Sequence, residues 1–405
     1  MDTPTVIVVT DRVIRDLASG YDLRVYNLVR QLALEYRIVN VVVDLSGEPD
    51  DRGGAPLIEP AWVASFPRRR SAAALARTTE RSYLRASAPS RFAALSAAIG
   101  RTFAEEGARS MVVFNAHIAT LVPPALRDRT VVDICDSMSV ILRRRASRVR
   151  GARPGLPLRL VRWRRLERWI TSSFAVTLAA SEVDARAAST PRRRALAVPN
   201  GVSLAAAVPP DDGAARELAF WGNLDFEPNR DAVLSFSRDV VLPGLLPRDV
   251  SFRVIGRGAG EDVLRLAAQS EQIRLEGFRA DLPGSLGGVS AMVNYMALGS
   301  GIKNKVLEAF AWGIVVISTG RGVEAFEGIV DGEHYLRAET PQEFAAAIDR
   351  VLADPSLRER IRSRARDYLD GYSWPAVGDR LIEIVRGAGA DAPPVAVGAG
   401  SGATG

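Results

Sequence analysis

The feature that most constrains this chain is a rhythm. Short apolar, β-branched runs recur along it, each followed by a longer segment whose apolar residues fall at helical spacing. TVIVVT (5–10), RIVNVVVDL (37–45), MVVFN (111–115), TVVDIC (130–135) and AVTLAA (175–180) read as strands. YDLRVYNLVRQLALEY (21–36) and the segments 71–87, 90–106 and 157–172 read as helices between them. Alternation of this kind predicts an α/β class with parallel sheets.

The rhythm then repeats. LAVPNGV (196–202) closes the first half in a strand and an Asn-Gly turn, and the small, proline-rich LAAAVPPDDGAA (204–215) reads as a linker. Beyond it LAFWGN (218–223), SFRVIG (251–256), IRLEGF (273–278), AMVNYM (291–296) and IVVIST (314–319) are strands, with helices over 229–242, 261–269, 303–313, 341–353 and 355–371. The expected organisation is a first domain over 1–203, a linker over 204–216, a second domain over 217–373 and a C-terminal helix over 374–386 that crosses back to the first domain. A Gly/Ala/Pro-rich tail without apolar period follows over 387–405 and reads as disordered. Two such domains predict a ligand in the cleft between them.

Charge is divided between the halves. Residues 1–205 hold 32 basic and 19 acidic side chains, net +13, and residues 206–405 hold 21 and 28, net −7. Arginines cluster in PRRRS (67–71), LRRRASRVRGAR (142–153) and LRLVRWRRLERW (158–169). Two readings stand: solvated helix faces, or a surface that meets an anionic acceptor or membrane. Nucleic acid fits less well, because the arginines are not interleaved with aromatics. A single cysteine, Cys135, excludes an intrachain disulfide and fits a reducing cytoplasm. Two histidines make a His/Cys metal site improbable. VIVV (6–9) is too short for a signal peptide, so the expected place is the cytoplasm, at most peripheral at the inner face of the membrane.

Both lysines of the chain fall in LGSGIKNKVLEAF (298–310), at the start of a helix after a glycine turn. That is the positive end of the helix dipole, where cations are disfavoured. Gly299 and Gly301 permit a sharp turn that exposes amides, and a helix start aims unsatisfied N–H groups at it. Such a place binds phosphate, and an anion there turns Lys303 and Lys305 into counter-charges. The alternative is two exposed lysines at a loosely capped helix. Glu308, one turn on, is placed to accept sugar hydroxyls or to pair with Lys305. In DICD, Asp136 stands at the strand end and is the better cleft candidate than Asp133, or else it caps the next helix. FRVIGRGAG (252–260) fits a dinucleotide fingerprint poorly, since its final glycine position is Glu261.

FWGNLDFEPNRDAV (220–233), FRVIGRGAG, IRLEGFRADLP (273–283), LGSGIKNKVLEAFAWGIVVIST (298–319), GRGVEAFEG (320–328) and YSW (372–374) keep their order over the second half. This set resembles the donor-binding domain of the family 4 retaining glycosyltransferases, which have the GT-B fold: two Rossmann-like domains facing each other across a cleft. VVDICDSMS (131–139), WRRLERW (163–169), LAASEVDA (178–185) and VPNGV (198–202) resemble the acceptor domain of the same branch more loosely. The resemblance implies a hexosyl- or other glycosyltransferase that moves a sugar from a nucleoside-diphosphate sugar to an acceptor hydroxyl with retention and without a metal. The co-substrate aside, it implies no cofactor. Its acceptor is a sugar, a lipid-linked sugar or a small molecule, with no nucleic acid involved.

The family's Glu-x7-Glu is incomplete here. Glu308 takes the second position, with the ribose hydroxyls as its implied partner, and Ser300 stands at the first, where the family contacts the donor sugar. Asn223 stands where many members carry an arginine for the diphosphate. The implied donor set is Gly20, Gly222, Asn223, Gly256, Arg257, Phe278, Arg279, Ser300, Gly301, Lys303, Lys305, Val306 and Glu308, with Phe278 and Arg279 at the base. His117, Asp136 and Lys305 are the implied catalytic residues. Two other readings remain at this stage: a non-catalytic scaffold that binds a nucleotide sugar, and a sugar-nucleotide epimerase of the same fold.

Overall fold

The computed structural model describes residues 3–17, 19–45, 55–66, 79–148, 155–204, 216–299 and 301–390. Of the sequence expectations, the arginines at 67–71, most of the linker, Ser300 and the tail beyond 390 lie outside these residues.

The first sheet holds seven parallel strands: β1 (Thr5–Thr10), β2 (Arg37–Asp44), β3 (Pro60–Ser65), β4 (Ser110–Phe114), β5 (Thr130–Asp133), β6 (Val176–Ala179) and β7 (Leu196–Ala197). Their spatial order is β3-β2-β1-β4-β5-β6-β7. Helices α1 (Gly20–Leu32), α2 (Glu80–Ser87), α3 (Pro89–Glu105), α4 (Met138–Arg148), α5 (Leu156–Ser173) and α6 (Glu182–Ala188) connect them. Every residue of β1 is buried because both faces of the sheet are covered. Ile7 and Val9 enter one core and Val6 and Val8 the other, as the two-residue period of a strand requires.

The second sheet has six parallel strands: β8 (Glu217–Trp221), β9 (Ser251–Ile255), β10 (Ile273–Gly277), β11 (Val289–Asn294), β12 (Val315–Ser318) and β13 (Leu336–Arg337), in the order β10-β9-β8-β11-β12-β13. Its helices are α7 (Glu227–Phe236), α8 (Glu261–Ala267), α9 (Leu282–Ser285), α10 (Asn304–Trp312), α11 (Gly320–Val323), α12 (Pro341–Ala353) and α13 (Pro355–Asp367). Leu218 and Phe220 face one core, Ala219 and Trp221 the other. In both sheets the strand order reverses beside the first strand. Ligands of open parallel sheets bind outside the carboxyl ends at that point.

The last helix, α14 (Trp374–Ala390), returns to the first domain. Its Val377, Leu381, Ile382 and Val385 share a core with Val25, Leu28, Val29 and Leu32 of α1. It runs through Ala390, so the helix continues past the expected boundary at 386. Two further expectations are corrected, and two strands stand where none was expected. The strands β3 and β13 at the sheet edges had no clear signal. LAVPNGV contributes only the two residues of β7. The helix expected over 229–242 is α7 followed by a π-helical turn over Ser237–Val241. No helix among the described residues is long and apolar enough to cross a membrane.

Candidate active site

The turn after β11 carries the chain into α10 with Lys303 as the residue before the helix, and no side chain caps its amides. Lys303 and Lys305 are buried, at 8% and 9% exposure, which removes the reading of two surface lysines. Lys303 Nζ donates to Gly301 O at 3.0 Å. Lys305 Nζ donates to Asn229 Oδ1 at 2.6 Å and stands 3.8 Å from the centre of the Phe220 ring. Burial lowers both ammonium groups. Lys305 falls to about 7, with desolvation the main cause, Glu308 opposing it and Lys303 adding repulsion. An anion in the cleft would offset that desolvation.

Glu308 and Lys305 bond different partners. The Trp221 indole Nε1 donates to Glu308 Oε2 at 2.7 Å, and burial raises this carboxyl against the pull of that bond and of Lys305. Val306 is fully buried in the core, with its amide donating to Lys303 O at 2.8 Å. This is a packing position, which corrects its place in the donor set.

The ends of β8, β9 and β10 meet through backbone. Gly222 N donates to Ile255 O at 3.0 Å and Gly256 N to Gly277 O at 2.8 Å. A Cβ on Gly256, at φ 154, would fall 1.9 Å from Gly222 O, so only glycine allows these strand ends to approach. Gly222 opens toward Lys305: a Cβ there would lie 2.8 Å from Asn229 Nδ2 and 3.3 Å from Lys305 Nζ. Asn223 takes no charge to the site. Its side chain accepts from Asp225 N at 3.0 Å and its carbonyl from Asn229 Nδ2 at 2.9 Å. At the rim Arg257 lies over the Phe278 ring at 5.6 Å, with Phe278 67% exposed. Arg279 is exposed and donates to Glu276 at 3.3 Å.

The first domain closes onto the same turn. Gly20 opens α1 with its Cβ direction 3.5 Å from Asn304 Nδ2. Arg24 bonds Asp133 Oδ2 and Asn200 Oδ1, each at 2.8 Å, and Asn200 Nδ2 donates to Asn304 Oδ1 at 2.8 Å. A buried chain of bonds therefore runs from β5 to the start of α10. Asp184, fully buried, accepts from Ser137 N, Ser181 Oγ and, across the cleft, Gly301 N at 3.0 Å. Arg144 donates to Gly299 O and pairs with Glu324 at 2.5 Å, while Arg145 pairs with Glu227.

Asp136 reaches the turn as well. A Cβ on Gly301, at φ 67, would fall 1.9 Å from Asp136 Oδ1. The Asp136 side chain is open to solvent yet has protein massed around it, as for a group standing in a narrow cleft. Its carboxyl is pushed up to about 6 by that enclosure and by Asp184, against the pull of Lys303 and Arg24. His117 is placed differently. It is 5% exposed, its Nε2 lies 3.0 Å from Glu80 Oε2, and its ring meets Trp163 edge-on at 4.6 Å. These contacts lie within the first domain, whereas the resemblance implies a catalytic place for His117. Asn229, Trp221, Asp184 and Arg144 contribute to the site; each lies in a segment the sequence marks, but nothing local singles out the residue.

Two Rossmann-type parallel sheets with their carboxyl ends turned to one cleft define the class: this is the GT-B architecture. The comparisons agree. Residues 215–354 match the family model described as Glycosyl transferases group 1. The chain is 31% identical over 143 residues to the lipopolysaccharide core biosynthesis glycosyltransferase LpsE of Rhizobium meliloti, covering 33% of this chain and 40% of LpsE. It is 31% identical over 213 residues to the phosphatidyl-myo-inositol mannosyltransferase of Mycolicibacterium smegmatis, covering 48% and 53%. The chain thus spans about half or less of these relatives' length. Among solved structures, Anabaena HepE in complex with UDP and glucose superposes with a TM-score of 0.62 at 15% identity, over 93% of this chain and 98% of that one. Sucrose-phosphate synthase from Thermosynechococcus elongatus superposes at 0.66 with 15% identity, over 95% and 98%.

Proposed function

We propose that this chain is a retaining, metal-independent glycosyltransferase of family 4 type that moves a sugar from a nucleoside-diphosphate sugar to an acceptor hydroxyl. The observation that carries the proposal is the pair of buried lysines at the uncapped start of α10, at the switch point of the second sheet. Two ammonium groups and a row of helix-start amides converge where a diphosphate would lie. The match of residues 215–354 to a glycosyltransferase model covers this turn.

In this reading Lys303, Lys305 and the amides at 302–305 stabilise the charge that grows on the departing diphosphate. Glu308, fixed by Trp221, accepts the ribose hydroxyls. Gly222 and Gly256 let the diphosphate approach the backbone, with Arg257 beside it, and Phe278 and Arg279 flank the base. Gly20 borders donor and acceptor, and His117 supports the acceptor wall from behind. The acceptor enters from the first domain, attacks from the face the leaving group departs, and so keeps the anomeric configuration. The acceptor class is a sugar, a lipid-linked sugar or a small molecule, and the basic first domain favours one that is anionic or held at an anionic membrane.

The test is thermal stabilisation by UDP, GDP and their sugars, in wild type and Lys305→Ala, followed by turnover with and without EDTA and product anomer assignment by NMR. One diphosphate should raise the melting temperature of wild type and lose most of that effect in the variant. No shift at millimolar ligand would remove the donor site, and an inverted anomer would remove retention.

A further inference from the structure

We propose that Asp136 is the group that reads the transferred sugar, its carboxylate accepting hydrogen bonds from hydroxyls of the ring attached to the diphosphate. The inference rests on the donor-site reading above and names a specificity determinant within it. A sugar nucleotide carries its sugar on the terminal phosphate. A group in contact with the phosphate turn on its cleft side therefore meets that sugar.

Four of the described carboxylates near the turn can be compared. Asp184 is fully buried and already accepts from Ser137 N, Ser181 Oγ and Gly301 N. Glu324 is paired with Arg144 and Arg321. Glu308 is held by the Trp221 indole, one turn along α10. Asp136 combines contact with Gly301 and openness to the cleft.

The chemistry suits the task. Sugar hydroxyls are donors, and an ionised carboxylate has two oxygens that accept from adjacent ones. The first domain would then supply the sugar-reading carboxylate, so that donor recognition requires both domains to be together.

The experiment measures dissociation constants at pH 8 for UDP against UDP-sugars and GDP against GDP-sugars, in wild type, Asp136→Asn and Asp136→Ala. The informative quantity is the ratio of sugar-nucleotide to nucleotide dissociation constants, for the pair wild type binds most tightly. We expect this ratio to rise about 10- to 100-fold in Asp136→Ala, the range of a lost charge-assisted hydrogen bond. The rise should be smaller in Asp136→Asn, which keeps one acceptor and the side-chain shape, and diphosphate affinity should hold in both. An unchanged ratio overturns the proposal. Equal losses for nucleotide and sugar nucleotide also overturn it, because Asp136 would then act on the turn and not on the sugar. If wild type binds none of the ligands, the donor-site reading itself fails, and the two failures are thereby told apart.

Discussion

Lys305 is a base that burial has moved into the neutral range. In the unfolded chain a lysine keeps its proton to about 10.4, whereas in the folded chain Lys305 releases it near 7. Between those values the unfolded chain binds more protons, so this group's contribution to stability rises with pH across that window. A bound diphosphate acts in the opposite sense, favouring the charged ammonium. Binding at pH 8 should therefore take up a proton, visible in calorimetry as a dependence on buffer ionisation enthalpy. Affinity should fall as pH rises from 7 to 9. Lys305→Met should remove the Lys305 part of both effects and weaken binding about 10- to 100-fold. Binding that is indifferent to buffer and pH would mean that Lys305 does not meet the diphosphate. The two lysines stand out in the sequence because they are the only ones and follow a glycine turn. Their partners do not. Asn229, Trp221 and Asp184 are joined to Lys305, Glu308 and Gly301 across 76, 87 and 117 residues, distances that no local pattern encodes.

At the scale of elements, most strands legible in the sequence are those buried on both faces, where an unbroken apolar run survives; β10, an edge strand with only Ile273 buried, is the exception. β3 is an edge strand whose burial alternates along PAWVAS with a proline at its start, and β13 is two residues long. Neither can hold a run that reads as a strand. The helix α14 is legible as a helix, but its partner is set by tertiary packing. It lies on α1, and Leu381 is fully buried between them. Leu381→Ala should destabilise the protein by about 2–5 kcal/mol through lost burial and a residual cavity. Urea unfolding measures this, and the slope should hold if the native state is otherwise intact. A loss below about 1 kcal/mol would show that α14 contributes little to the first domain, given the usual range for such truncations. α10 is built on different terms: no side chain caps its start.

At the scale of the whole molecule, the charge division seen in the sequence has two uses. Arg144 and Arg145 of the basic first domain pair with Glu324 and Glu227 of the acidic second, so part of the excess holds the cleft closed. Among the described residues, other arginines of the first domain face outward. α5 exposes Leu158 at 52% and Val161 at 46%, with Arg159, Arg164, Arg165 and Arg168 exposed on the same helix. Apolar residues flanked by arginines on one amphipathic helix suit the surface of an anionic bilayer. Each such charge near the surface is worth about 1 kcal/mol. The protein should therefore co-sediment with vesicles containing phosphatidylglycerol and not with phosphatidylcholine alone. High salt should release it, since screening removes the electrostatic part. Arg164→Glu with Arg165→Glu should abolish binding, and Leu158→Asp with Val161→Asp should weaken it while leaving nucleotide-induced stabilisation intact, because these side chains lie on the exposed face of α5. Equal recovery with both vesicle types, or none with either, would assign the outward arginines to solvated helix faces and leave the acceptor to be brought by diffusion.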